Sequence, residues 1–123
     1  MSNIRATTIS DETGNGPIAL TKQYTAKAWV HFSTLDDPPD IKSSAGVSSL
    51  TDEGVEVSVN LTNAMSNSFY VPVCTAGHSG TNPSNRSIAA GVTNASSFET
   101  EAYTTANAHV DTNCYCAVFG DLA

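Results

Sequence analysis

AKAWVHF at residues 26–32, with its echo GVEVSVNL at residues 54–61, decides the fold of this chain. In the first stretch Ala26, Ala28, Val30 and Phe32 fall on one side of an extended chain, and Lys27, Trp29 and His31 fall on the other. In the second, Val55, Val57, Val59 and Leu61 alternate with Glu56, Ser58, Asn60 and Thr62. Successive side chains of a strand point to opposite faces, so a period of two marks half-buried β-strands. No window carries an apolar stripe of period 3.6 long enough for a helix.

The rest of the chain agrees with that reading. Asp52-Glu53-Gly54 supplies a tight turn, with Gly54 suited to a left-handed position, so 46–62 reads as a hairpin. Its first arm is the strongest part of a weaker strand candidate over 41–51. Phe69, Val71 and Val73 alternate with Tyr70, Pro72 and Cys74 in a further strand, and Pro72, which has no N–H, assigns it to a sheet edge or a bulge. Short strands are expected at 89–92, 97–104 and 113–119. In the second of these Phe98, Thr100 and Ala102 alternate with Glu99, Glu101 and Tyr103, which turns the acids toward water. The Pro38-Pro39 pair turns the chain out after the first strand. Upstream, 18–25 reads as a short strand preceded by Gly- and Pro-bearing loop chemistry. Regularly spaced short strands predict an all-β fold, a small antiparallel β-sandwich or barrel-like module. Residues 1–24 form an N-terminal arm or edge segment in this reading, and 25–123 a single domain. Val30, Phe32, Val57, Val59, Phe69 and Phe119 are the expected core or subunit-interface residues. Trp29 joins them, because an exposed Trp is costly and interfaces favour it.

A chain of 123 residues has room for one core. Hydrophobic residues are 40% and charged residues only 14%, against about 25% charged in an average domain. A thin core and few charges leave apolar strand faces in need of a partner, which predicts a homo-oligomer, specifically a homotrimer. The net charge of −7 argues against a nucleic-acid backbone and equally against an anionic membrane surface. No apolar run approaches the roughly 18 residues of a membrane span, and the N-terminus lacks the apolar stretch of a signal peptide. Three cysteines cannot pair completely, and Cys114 and Cys116 stand too close along one strand for an unstrained bridge. They read as small buried hydrophobes of a protein made in a reducing cytoplasm.

A search for chemistry finds no catalytic constellation, and no cofactor is expected. His31, His78 and His109 have no metal-ligand spacing among them or with the cysteines. Asp36, Asp37 and Asp40 lack the spacing of a calcium loop and read as a solvated acidic turn. Glu99 and Glu101 share a face without a glycosidase pattern, and Ser79 does not lie in a nucleophile elbow. The polar excursion over 75–88 has almost nothing to bury, and long ordered loops are more often functional than accidental. His78, Asn82, Asn85 and Arg86 are its candidate surface contacts.

Four motifs then stand together. They are TISDxxGxGPxxLTKQ from Thr8, AKAWVxF from Ala26, VSSLTDxG from Val47, and VxVxLTxAM from Val57. In combination they resemble a module that recurs in tailed-phage virion-surface proteins, of tail-fibre and head-decoration type. The resemblance covers about residues 7–73 and again the ending Val118-Phe119-Gly120. The loop over 75–88 and the cysteine-bearing strand at 114–116 depart from it. It implies a non-enzymatic structural protein on the exterior of the virion, made in the host cytoplasm. That protein would be a capsid decoration, spike or fibre component, trimeric and in contact with other virion proteins, with a purely architectural role and host-surface glycan adhesion as competing readings. It carries no catalytic residues over to this chain. The alternative from another class is a stand-alone carbohydrate-binding module; an enzyme ranks third.

Overall fold

The computed structural model describes residues 25–77 and 86–123. Eight strands follow one another: β1 (Ala28–Ser33), β2 (Asp40–Ala45), β3 (Val47–Asp52), β4 (Val57–Leu61), β5 (Val71–Gly77), β6 (Arg86–Asn94), β7 (Ser97–Thr104) and β8 (Asn113–Phe119). No helix occurs among the described residues. The expected N-terminal arm, with nearly all of the short strand at 18–25, lies outside the described residues.

Two antiparallel sheets form, ordered β2-β1-β8-β5 and β3-β4-β7-β6. They are not closed into a barrel, so of the two expected architectures the sandwich is the one realised. The alternation foreseen for β1 holds: Ala28, Val30 and Phe32 are buried. They meet Val57, Val59 and Leu61 of β4, Phe98 of β7, and Cys114, Cys116 and Val118 of β8 in one core between the sheets. Burying such side chains is worth about 1.5–3 kcal/mol each, so this layer dominates the stability of the fold.

The expected strand over 41–51 is two strands. Gly46, at φ +71°, breaks it and carries the chain from the first sheet into the second. A Cβ here would stand 2.9 Å from the Lys27 carbonyl oxygen and 3.0 Å from the Ala28 Cβ, so the corner needs glycine twice over. The β3–β4 hairpin is as expected: Gly54 takes φ +93° and its N–H donates to Asp52 Oδ1 at 2.8 Å.

β5 is an edge strand, as Pro72 required. Its expected parity is reversed, however. Tyr70 is buried while Phe69, Val71 and Val73 face outward. Tyr70 fixes this arrangement by donating its hydroxyl to the Ser97 carbonyl at 2.6 Å, across to the second sheet. At one end of the sandwich the buried Thr112 ties three strands together. Its N–H donates to Thr34 Oγ1 at 2.9 Å, and its hydroxyl donates to the Gly77 carbonyl. The polar loop expected over 75–88 is shorter than supposed, since β5 runs through Gly77 and β6 begins at Arg86.

Candidate functional site

The pairing of β2, β1, β8 and β5 builds a surface that no single stretch of sequence displays. Residues directly opposite on neighbouring strands point to the same face. The register therefore aligns Ala45, Trp29, Ala117 and Val73 in one row across the outer face of this sheet. The adjoining row is Ser43, His31, Tyr115 and Thr75, and beyond the first row Phe119 stands opposite Val71. Trp29 is 44% exposed, Tyr115 42%, Val73 53% and Val71 56%, so this is an apolar face left open to water. A shallow depression of about 400 Å³ lies on it, lined by Trp29, His31, Val73, Tyr115 and Ala117 among others.

The rings on this face are held in place. His31 stacks on Tyr115 with centroids 4.4 Å apart and planes inclined by 22°. The Tyr115 ring in turn covers Gly77, where an added Cβ would come within 2.7 Å of Tyr115 Cε2. Nε2 of His31 is buried and has no hydrogen-bond partner. A buried polar nitrogen without a partner costs free energy.

The sequence-derived site residues divide cleanly. Val30, Phe32, Val57 and Val59 are core. Phe119 is half-buried. Trp29 is not in the core, and Phe69, 87% exposed, is the most exposed of the large apolar side chains among the described residues. The core half of the expectation for these two residues is corrected accordingly. Phe69 was assigned inward because apolar character alone does not say which side of a strand is buried when the sheet has a second apolar face, whereas Trp29 was placed opposite the core row and expected to be covered only because an exposed Trp is costly. Tyr115, Val71 and Val73 were missed as site residues. The signal for Tyr115 was present, since Tyr115, Ala117 and Phe119 alternate with Cys114, Cys116 and Val118. Of the candidate contact loop, His78, Asn82 and Asn85 lie outside the described residues, and Arg86 opens β6 opposite Thr104.

The outer face of the second sheet has another character. Asn60 donates to Ser49 Oγ at 3.1 Å and to Thr51 Oγ1 at 3.0 Å. Glu56, Glu99 and Glu101 line a depression floored by Ala89 and Gly91. The Tyr103 hydroxyl, hydrogen-bonded to the Glu101 carboxylate, is held above its ordinary pKa by that bond.

A third depression, of about 220 Å³, lies at one end between the sheets and is lined by Asp36, Asp37, Asp52, His109 and Asp111. His109 Nδ1 lies 3.8 Å from Glu101 Oε1, and Nε2 lies 3.9 Å from Asp111 Oδ1. Two acids of the neighbouring turn are engaged by Lys42, which reaches Asp36 at 3.2 Å and Asp40 at 2.9 Å. Among the described residues no group of three or more His, Cys, Asp or Glu is arranged to hold a metal ion. No protein-family model, curated protein or solved structure matches the chain.

Proposed function

We propose that this chain is a non-enzymatic structural protein of the exterior of a tailed-phage virion, a capsid decoration, spike or fibre component. It works by docking the outer face of β2-β1-β8-β5 against a neighbouring protein surface, with a homotrimer as the assembled form. The observation that carries this reading is the contiguous apolar face of Trp29, Val71, Val73, Tyr115 and Phe119, with Phe69 exposed beside it. Contiguous apolar patches on a soluble domain mark interaction sites, and Trp and Tyr are the residues on which interface energy concentrates. The motif resemblance over residues 7–73 supplies the virion context.

One observation favours a second reading. Trp29 and Tyr115 lie in adjacent rows of a single sheet face, as a sugar-stacking platform requires, and a carbohydrate-binding module would use them for a glycan. One experiment separates the two. Light scattering of the purified chain at micromolar concentration should give a trimer that Trp29→Ala weakens, and the chain should copurify with intact particles at fixed copy number. A stable monomer whose Trp29→Ala variant folds normally and loses only glycan binding overturns the assembly reading in favour of the second.

A further inference from the structure

The three cysteines converge on the inner side of the first sheet. Cys74 of β5 stands directly opposite Cys116 of β8, and Cys114 lies two residues away on β8, facing the same side. All three are free thiols. Directly opposed residues of an antiparallel pair have Cα atoms about 4.5–5.5 Å apart, inside the roughly 4.4–6.8 Å that a disulfide spans. Cys114 and Cys116 are two positions apart on one strand, about 6.6–6.8 Å between Cα atoms, with side chains abreast and not aimed at each other. From the direct opposition of these two residues on the inner side of the sheet we infer that Cys74 and Cys116 form a reversible cross-strand disulfide when the protein meets an oxidising thiol–disulfide environment, with Cys114 left free.

The two thiols are unequal, and the inequality gives the order of events. Cys74 is half-buried on an edge strand, whereas Cys116 is buried. The Cys116 thiol donates to Cys74 and so lowers the Cys74 pKa, while the same bond and burial raise that of Cys116. Burial also pushes Cys114 up to about 12, and Cys114 stands opposite Phe32 and Ala76, so no thiol faces it across the sheet. Cys74 is therefore the attacking sulfur. Its thiolate displaces one half of a low-molecular-weight disulfide, forming a mixed disulfide and releasing a thiolate that takes up the Cys74 proton. Cys116 then gives up its proton and attacks the Cys74 sulfur, expelling the second half as a thiol. The two protein thiols lose two electrons and two protons, and the small disulfide is reduced to two thiols. A reducing cytoplasm keeps the pair open, and an oxidising exterior closes it. The closed bond pins β5 to β8 and so fixes Val71 and Val73 on the outer face relative to Tyr115 and Ala117.

The test exposes the folded chain to oxidised glutathione at neutral pH, quenches with acid, counts thiols and maps the linked peptides by mass spectrometry without reduction. The expected result is a fall from three free thiols to one, with a monomer mass lower by two hydrogens. Fragmentation should place the link between Cys74 and Cys116. Cys114→Ser should keep the link, and Cys74→Ser should abolish it. Retention of all three thiols in the folded protein overturns the inference, as does a link that uses Cys114 or joins two chains. Because the link is located by fragmentation of the unaltered chain, the outcome does not depend on every variant folding.

Discussion

Replacing Gly46 by alanine tests the corner on which the two-sheet architecture turns. The residue has φ +71°, and a left-handed conformation costs an L-residue with a Cβ about 1–2 kcal/mol. The added carbon would also stand 2.9 Å from the Lys27 carbonyl oxygen, 3.0 Å from the Ala28 Cβ and 3.2 Å from the Ala28 Cα. These are main-chain atoms and the first side-chain carbon of a buried residue, so no rotamer change relieves the contact. Nor can the corner swing away freely, because the Gly46 carbonyl accepts the Thr62 N–H at 3.0 Å. Overpacking of this kind costs about 1–3 kcal/mol, so Gly46→Ala should lose about 2–5 kcal/mol in all. Gly54→Ala provides the internal reference. Its φ of +93° carries the backbone cost, but nothing lies within 4 Å of its Cβ position, so its loss should stay near 1–2 kcal/mol. Urea unfolding followed by circular dichroism reads both variants. With a slope of about 1–3 kcal/mol per molar for a domain of this size, the two midpoints should differ by about 1 M. Equal midpoints at equal slopes would refute the close approach of Gly46 to β1.

The remaining predictions concern the core, one end of the sandwich and the outer face. Trp29→Ala should cost the folded protomer only about 1–2 kcal/mol, because the ring is partly exposed and its removal leaves no closed cavity; calorimetry checks this. Phe98→Ala, at a fully buried position, should cost about 3–5 kcal/mol in the same assay. Thr112→Val leaves the Gly77 carbonyl without its hydroxyl donor and should cost about 1–3 kcal/mol, read by the shift of the urea midpoint. A chelator should leave the melting temperature unchanged, and a fall of many degrees would reveal a metal site.

Where one strand face is plainly apolar and the other plainly polar, the sequence was legible nearly to the residue. Over 97–104, Phe98, Thr100 and Ala102 point inward and both glutamates point outward; 113–119 was bounded as it stands. The boundary at Gly46 was not legible, because a glycine within a weakly alternating run gives no sign that the strand changes sheets there. β5 failed for a different reason. Phe69, Val71 and Val73 are collectively more apolar than Tyr70, Pro72 and Cys74, and hydrophobicity alone sends them inward. The pairing decides otherwise: Cys74 opposes buried Cys116, and Pro72 opposes buried Val118. A one-residue change of parity exchanges the two faces of a strand, and only the neighbouring strand fixes it. The outer face was illegible for the same reason, since Trp29, Val73 and Tyr115 become neighbours only through a register that joins distant parts of the chain.

The distribution of polar groups also narrows how such a domain can associate. Sheet edges are the usual route to unwanted pairing, and charged side chains or prolines blunt them. Here the β2 edge carries Lys42 bridged to Asp36 and Asp40, and the β5 edge carries Pro72. The second sheet presents Glu56, Glu99 and Glu101 on its outer face, in a chain of net charge −7, so two copies meeting through that face would bring like charges together. Neither obstacle exists on the outer face of β1, β8 and β5, where Trp29, Val73, Tyr115 and Ala117 form an uncharged surface. Association through this face buries apolar area without adding a strand to either sheet. It leaves the acidic face outward, where it keeps assembled copies apart in solution. The asymmetry between the two faces, more than the composition of the core, is what the proposed assembly rests on.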